Sequence, residues 1–224
     1  GSIVTGNTSG RKGRLGIYTD ISSTATQTTV KVELWFWTIY SCDDGGPGYY
    51  NEVFYNVGTN ISSATTSVAT SVSIYHTVAT GSGWNTANQT KIYSKTHTYT
   101  RDTSATTYKI YAQFKGIDML GAPVYANTSF TVPKLASYTI KYDANGGSGA
   151  PSSQTKYYGK NLTISSTKPT RTGYDFLGWA LTKEDANAGK WYYTPGSTCG
   201  RNENLTLYAV WEAYTYAVKY DANG

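Results

Sequence analysis

The side chains that usually carry catalysis are few here and widely scattered. The chain of 224 residues holds two histidines, His76 and His97, and two cysteines, Cys42 and Cys199. A nucleophilic centre needs Ser or Cys held beside a base, and a metal centre needs ligands at a fixed spacing. Neither histidine has such company. Each lies in a stretch of alternating polarity and reads as a residue on the surface of a strand. The cysteines form no CxxC pair and fall in different predicted domains. Their plainer reading is two unpaired thiols, and the alternative is a disulfide clamping the domains together. Asp43 and Asp44 sit in Cys42-Asp43-Asp44-Gly45-Gly46-Pro47-Gly48. A calcium cage takes roughly 6–8 oxygen ligands, so two carboxylates among Gly and Pro read as a solvated turn. The remaining acids also fall mostly in turns, without the paired-carboxylate arrangement of a glycosidase. The expectation is a chain that is not an enzyme, with no cofactor and no metal.

Binding chemistry is better represented. Aromatic residues make up 15% of the chain, more than one or two small cores can absorb. Tyr and Trp rings offer flat apolar faces to sugars, and Asn, Ser and Thr supply hydrogen bonds. Trp35, Trp37, Tyr49, Tyr50 and Trp84 are the candidates for surface contact with a glycan or a protein. The simpler reading of each is packing or strand-face decoration. The net charge of +5 is spread thinly: ten Lys/Arg against seven Asp/Glu in residues 1–136, nine against seven in 137–224. Without a basic cluster, nucleic acid is not an expected partner. The charge reads as ordinary solubility, with weak attraction to anionic cell-wall polymers as the alternative. No apolar run approaches the ~20 residues that a membrane span needs, so membrane insertion is not expected.

The elements that must position these side chains are strands. Gly, Ser, Thr, Asn and Tyr dominate, and helix formers such as Leu and Met are scarce. Residues 1–12 read as a tag and poorly ordered tail. Arg14–Ile21 alternates, with Leu15 and Ile17 on one face. Thr29–Tyr40 is the longest candidate strand, with Val30, Val32, Leu34, Phe36 and Thr38 on one face and Lys31, Glu33, Trp35, Trp37 and Ile39 on the other. Tyr49–Val57 reads as the returning strand of a hairpin, and 58–70 as an irregular connection or weak edge strand. Ser71–Val78, Thr90–Thr100, Thr107–Lys115 and Ala126–Val132 follow as strands. Tyr108, Ile110, Ala112 and Phe114 point inward, while Ile92, Ser94, Thr96 and Thr98 oppose Lys91, Tyr93, Lys95, His97 and Tyr99. Seven or so strands with regular turns predict an all-β, immunoglobulin- or fibronectin-like sandwich over 13–135. Pro133–Ser137 is a short linker.

Beyond the linker the chain repeats itself. Tyr138-Thr-Ile-Lys-Tyr-Asp-Ala-Asn-Gly146 returns as Tyr216-Ala-Val-Lys-Tyr-Asp-Ala-Asn-Gly224, a period of 216 − 138 = 78 residues. A fixed period marks a repeat array. Residues 138–213 form one complete unit, and 214–224 open a second, truncated one. Within the unit, Asp143–Gly147 reads as a turn whose two glycines supply positive φ. Lys183–Ala188 is helix-compatible but short. Ile140, Tyr142, Leu162, Phe176, Trp179, Leu207, Ala209 and Trp211 are the expected core.

Three motifs, YTIKYDANGG, KPTRTGYDFLGWA and LTLYAVWE, resemble the Listeria–Bacteroides repeat, the B repeat of internalin-type surface proteins. The resemblance covers 138–212 and the restart at Tyr216. It implies a small α+β, β-grasp-like (ubiquitin-like) unit, strung as a stalk on secreted or wall-attached bacterial proteins or found in phage tails. It brings no catalytic residue. KGRLGIYTDISSTATQTTVKVELWFW and KIYSKTHTYTRDTSATTYKIYAQF, with the closing Ser129-Phe130-Thr131-Val132-Pro133, are similar to a β-sandwich module of phage minor structural and tail proteins of Gram-positive hosts. Together the resemblances imply a virion tail component whose partners are other tail proteins or host cell-surface carbohydrate or protein. The alternative is a wall-attached bacterial surface protein.

Overall fold

The computed structural model describes residues 2–9, 13–38, 42–43, 52–69, 75–76, 89–115 and 123–221. The chain forms two compact units, Gly1–Lys134 and Leu135–Gly224.

The first unit is a sandwich of two antiparallel four-stranded sheets. One runs in the order β1 (Ser2–Ser9), β2 (Gly13–Ser23), β3 (Gln27–Thr38), β8 (Gln89–Thr100). The other runs β10 (Val124–Val132), β9 (Thr106–Lys115), β5 (Glu52–Gly58), β6 (Ser67–Ala69). A two-residue ribbon joins β4 (Cys42–Asp43) to β7 (Tyr75–His76). Period-two alternation is what closes this core. Leu15 and Ile17, Val30 to Phe36 at even positions, and Ile110, Ala112 and Phe114 all bury their side chains in one cluster, as a strand packed on one face requires.

Two expectations change, and the sequence leaves a third point open. Ser2–Ser9 is a strand paired with β2, not part of a tail, because β2 presents a free edge that a polar strand can cover with backbone hydrogen bonds alone. β5 does not return along β3. Both edges of β3 are already taken by β2 and β8, so β5 joins the opposite sheet beside β9. On β8 the inward face belongs to Tyr93 and Tyr99, which pack against the core. The register opposite Leu34 and Trp35 jumps from Tyr93 to Lys91; this bulge turns Ile92 inward as well. The weak edge strand expected within 58–70 is β6, and Thr107–Lys115 and Ala126–Val132 lie within β9 and β10. Of Ser71–Val78 only Tyr75–His76 falls among the described residues.

The second unit is built on a mixed sheet in the order β12 (Gln154–Tyr157), β11 (Ser137–Asp143), β16 (Leu205–Ala213), β14 (Tyr174–Ala180). The two central strands, first and last in the unit, run parallel. A short ribbon pairs β13 (Leu162–Thr163) with β15 (Thr198–Cys199). One face of the sheet buries Ile140, Trp179, Leu207 and Ala209 with Ile164 and Cys199, and Tyr142, Leu162, Phe176 and Trp211 pack around them. The other face holds Ala180 and Val210 against Ala186 of α1 (Lys183–Asn187). Thr182 caps this single turn by accepting a hydrogen bond from the Asp185 N–H at 3.1 Å. Every expected core residue of the unit is in or against the core. Ile164 and Cys199 were not expected there, since neither lies in a long alternating segment. Cys199 is buried and unpaired.

Candidate functional site

Of the five aromatic candidates, Trp35 is described in full. It is half-buried on the outer face of β3. Its indole N–H donates to Glu33 Oε2 at 3.2 Å, and Lys91 Nζ sits 5.8 Å from its ring centroid. Lys31 and Lys91 both pair with Glu33 Oε1, at 2.8 and 3.6 Å. The Lys31 hydrogen bond leads the forces holding the Glu33 carboxyl below its usual range. The polar edge and one approach to Trp35 are therefore already engaged. Trp37 lies two residues on along β3, opposite Arg14 and Gln89. Tyr49, Tyr50 and Trp84 lie outside the described residues.

The sandwich carries instead a cleft that the candidate list missed. It has a volume of about 300 Å³ and is lined by Tyr55, Asn56 and Val57 of β5, Ile61 and Thr66 of the following loop, Val68 of β6, and Lys95 and His97 of β8. β8 and β6 are each last in their sheets, so the cleft marks the end of the sandwich where, among the described residues, no further strand pairs on. Tyr55 Oη and His97 Nε2 are 2.8 Å apart. Burial, with Tyr99 and Tyr93 nearby, pushes the Tyr55 phenol far up. Burial and then Lys95 push the His97 imidazole down. Both groups are thus neutral near pH 7, one donor facing one acceptor. Asn56 is spent on structure: it donates to Thr65 Oγ1 at 3.1 Å and accepts from the Thr66 N–H at 3.1 Å, fixing the loop that forms one wall. The signal for this site was present in the sequence as His97 among Tyr93, Lys95 and Tyr99, but the partner Tyr55 is 42 residues away.

The second unit has a polar groove lined by Gly146, Gly147, Ser148, Thr170, Arg171 and Thr172. It forms where two of the three sequence motifs meet: Ser148 and Thr170 exchange backbone hydrogen bonds at 2.8 and 2.9 Å. Trp211 of the third motif seals the turn, its indole N–H donating to the carbonyls of Ala144 and Asn145 at 3.0 and 3.1 Å. The two glycines turn out to have different reasons. Gly146 has φ +86°. Gly147 has an ordinary φ, but a Cβ there would lie 2.5 Å from Trp211 Cζ2 and 2.6 Å from the Thr170 carbonyl, so its requirement is close approach rather than conformation. Positive φ falls on Asn145 instead, at 43°. The Arg171 guanidinium stacks on Tyr174 at 3.8 Å. Among the described residues no group of three or more His, Cys, Asp or Glu could hold a metal.

These motif contacts sit inside one segment with a known counterpart. Residues 138–210 match the Listeria-Bacteroides repeat domain. The repeat's boundaries coincide with β11 at one end and fall within β16 at the other. Two proteins of Evansella cellulosilytica are also similar to the chain. One, provisionally named a Gly-rich membrane protein, is 31% identical over 150 residues, 64% of this chain and 15% of the relative. The other, provisionally named a membrane protein, is 32% identical over 90 residues, 40% of this chain and 12% of the relative. The chain thus spans less than a sixth of the length of either. No solved structure matches significantly. Among the described residues no helix is long and apolar enough to cross a membrane.

Proposed function

We propose that this chain is a non-enzymatic structural and adhesive module of a phage or prophage tail protein, acting as a spacer and contacting the host cell surface. The observation that carries the reading is the return of the β11 sequence after β16. Tyr216–Gly224 matches Tyr138–Gly146 at seven of nine positions, all but Thr139/Ala217 and Ile140/Val218. Ile140 is fully buried, whereas its counterpart Val218 is 71% exposed. The copy cannot take the place of β11 in its own unit. β11 runs parallel to β16, so its start lies roughly 30 Å back along the nine-residue β16, and only Tyr214–Thr215 intervene. A segment that repeats the β11 sequence and leaves its counterpart of Ile140 exposed suits a further unit strung behind the first, and reach is what a tandem array supplies. The second–first–last–third order of strands, with the middle pair parallel, supports a β-grasp-like description of the repeat. The antiparallel sandwich supports an immunoglobulin- or fibronectin-like description of the first unit.

A second reading, the stalk of a secreted or wall-attached bacterial surface protein, draws support from the relatives named as membrane proteins. Immunogold labelling with antibody to this chain separates the two. Label on virion tails is expected; label confined to cell envelopes would replace the tail with the surface protein. Release of reducing ends from purified peptidoglycan by the chain would overturn the non-enzymatic part of both.

A further inference from the structure

The cleft at the open end of the sandwich has a composition that its role in packing does not account for. Val57, Ile61 and Val68 give it an apolar side. The buried Tyr55, only 4% exposed, turns its hydroxyl to His97 Nε2, and the remaining ring nitrogen, Nδ1, has no hydrogen-bond partner among the described residues. Lys95 lies on the rim, and among the described residues no Asp or Glu lines the cleft. Lys95 is also without an ion pair among the described residues, in contrast to Lys31 and Lys91 on Glu33 and Lys115 on Glu52. An anion is the charge this rim favours. The buried Tyr55 ring offers no face on which a nucleobase could stack. A compact ring with C–H groups on one side and hydroxyls on the other fits an aliphatic wall beside neutral donors and acceptors. A volume of about 300 Å³ is at the small end of ligand sites and holds about one such ring with a charged substituent.

We propose that this cleft binds an anionic saccharide. The sugar's C–H face lies on Val57, Ile61 and Val68, its hydroxyls meet His97 and Thr66, and its carboxylate or phosphate meets Lys95 Nζ. The inference rests on the reading of the chain as an adhesive module and names the class of surface ligand it would take.

The test is an amide NMR titration of the full chain with glucuronate, glucose 6-phosphate, glucose and glycerol 1-phosphate. Glucuronate or glucose 6-phosphate is expected to shift the amides of 55–57, 66–68 and 95–97, the pair distinguishing carboxylate from phosphate as the acidic group. Glucose is expected to bind about tenfold more weakly, the loss of one charge-assisted hydrogen bond, and Lys95→Gln is expected to erase that preference. Lys95 is exposed, so the variant keeps its fold, and Lys109→Gln on β9 serves as the charge-matched control. Equal binding of glucose and the acids, binding of glycerol 1-phosphate as tight as that of the sugar phosphate, or shifts confined to other strands would each overturn the proposal. Sedimentation with purified Gram-positive cell walls reads the adhesive role separately. Wall binding unchanged in Lys95→Gln would keep adhesion and remove this cleft from it. Cleft shifts without any wall binding would keep the cleft and remove adhesion.

Discussion

The two units of this chain solve the same problem with different means. The sandwich buries one broad cluster of aliphatic and aromatic side chains between two sheets. The repeat buries five apolar residues around Trp179 on one face of its sheet and Ala180, Ala186 and Val210 on the other. It compensates by tying loops to the sheet with polar side chains. Asn145 reaches the Ala209 carbonyl, Asn204 accepts from the Thr139 N–H, and Tyr142 bonds Gln154 while accepting from the Ser165 N–H. A small domain buries a smaller fraction of its surface, so each specific contact carries a larger share of its stability. The comparison teaches that a lesion of given size should be felt more in the repeat than in the sandwich.

The largest effect is expected from Trp179→Ala. Trp179 is fully buried and touches Tyr142 and Phe176 at ring distances of 4.9 and 5.0 Å. Its removal should cost about 4 kcal/mol and abolish hydrogen-exchange protection across 137–213 while leaving β2, β3 and β9 protected. Ile110→Ala in the sandwich should cost about 3 kcal/mol and leave its sheets formed. If Trp179→Ala strips protection from both units alike, they do not fold as separate bodies and the comparison fails.

Gly147→Ala comes next. The new Cβ meets the Trp211 ring and a backbone carbonyl at once, and neither can move without breaking the bonds from Trp211 to Ala144 and Asn145. A cost of about 3 kcal/mol is expected in the repeat. Gly146→Ala meets nothing nearer than the Arg171 side chain at 3.6 Å and should cost about 1 kcal/mol, from its positive φ. Denaturant melts that rank the two variants the other way would show that conformation, not contact, governs this turn.

These two glycines also mark what could be read from the amino-acid sequence. Alternation placed Leu15, Val30, Val32, Leu34, Ile110 and Phe114 in a core, because a pleated strand buried on one face leaves that pattern directly. The 78-residue return outlined the repeat. What stayed hidden depends on partners far away in sequence. The adjacent glycines look alike until Trp211, 64 residues on, supplies the steric reason for the second. β5 alternates as well in a hairpin with β3 as beside β9, and only the occupied edges of β3 decide between them. Ser2–Ser9 has no apolar stripe, so its role as a covering edge strand had no local signature. The cleft escaped for the same reason: Tyr55 and His97 meet across the two sheets, and neither Val57 nor Val68 signals anything but packing in isolation.

A smaller effect tests the polar ties of the repeat. Lys156 is 1% exposed. Its Nζ donates to Asn202 Oδ1 at 2.7 Å and to the Tyr157 carbonyl at 3.0 Å, and Asn202 also accepts from the Gly159 N–H. Asn202→Ala leaves a buried polar head short of a partner and should cost about 2 kcal/mol. Adding Lys156→Met should recover most of that loss, since an apolar chain of similar length needs no acceptor. Losses that simply add in the double variant would mean that Asn202 acts through Gly159 alone and that Lys156 is held by packing.

The smallest effect separates the units by pH. Both histidines, His76 and His97, lie in the first unit. The groups around His97 are Tyr55 from β5 and Tyr93, Lys95 and Tyr99 on its own strand. None carries a carboxylate, so among the described residues nothing offsets the burial that lowers the imidazole. The unfolded chain therefore takes up a proton first as pH falls through about 6.5, and the folded chain follows only at lower pH. Within that interval the unfolded state binds more protons, so the sandwich is most stable above pH 6.5 and loses stability as pH falls below it. Glu33 works in the same sense but lower on the scale: its depressed carboxyl adds stability that is lost only as pH falls below about 4.3. Unfolding followed unit by unit between pH 7.5 and 5 should thus show a declining sandwich and an unchanged repeat. His97→Gln should flatten the decline. If the slope survives in His97→Gln, the imidazole is not held neutral against Tyr55, and the donor–acceptor pairing drawn for the cleft is wrong.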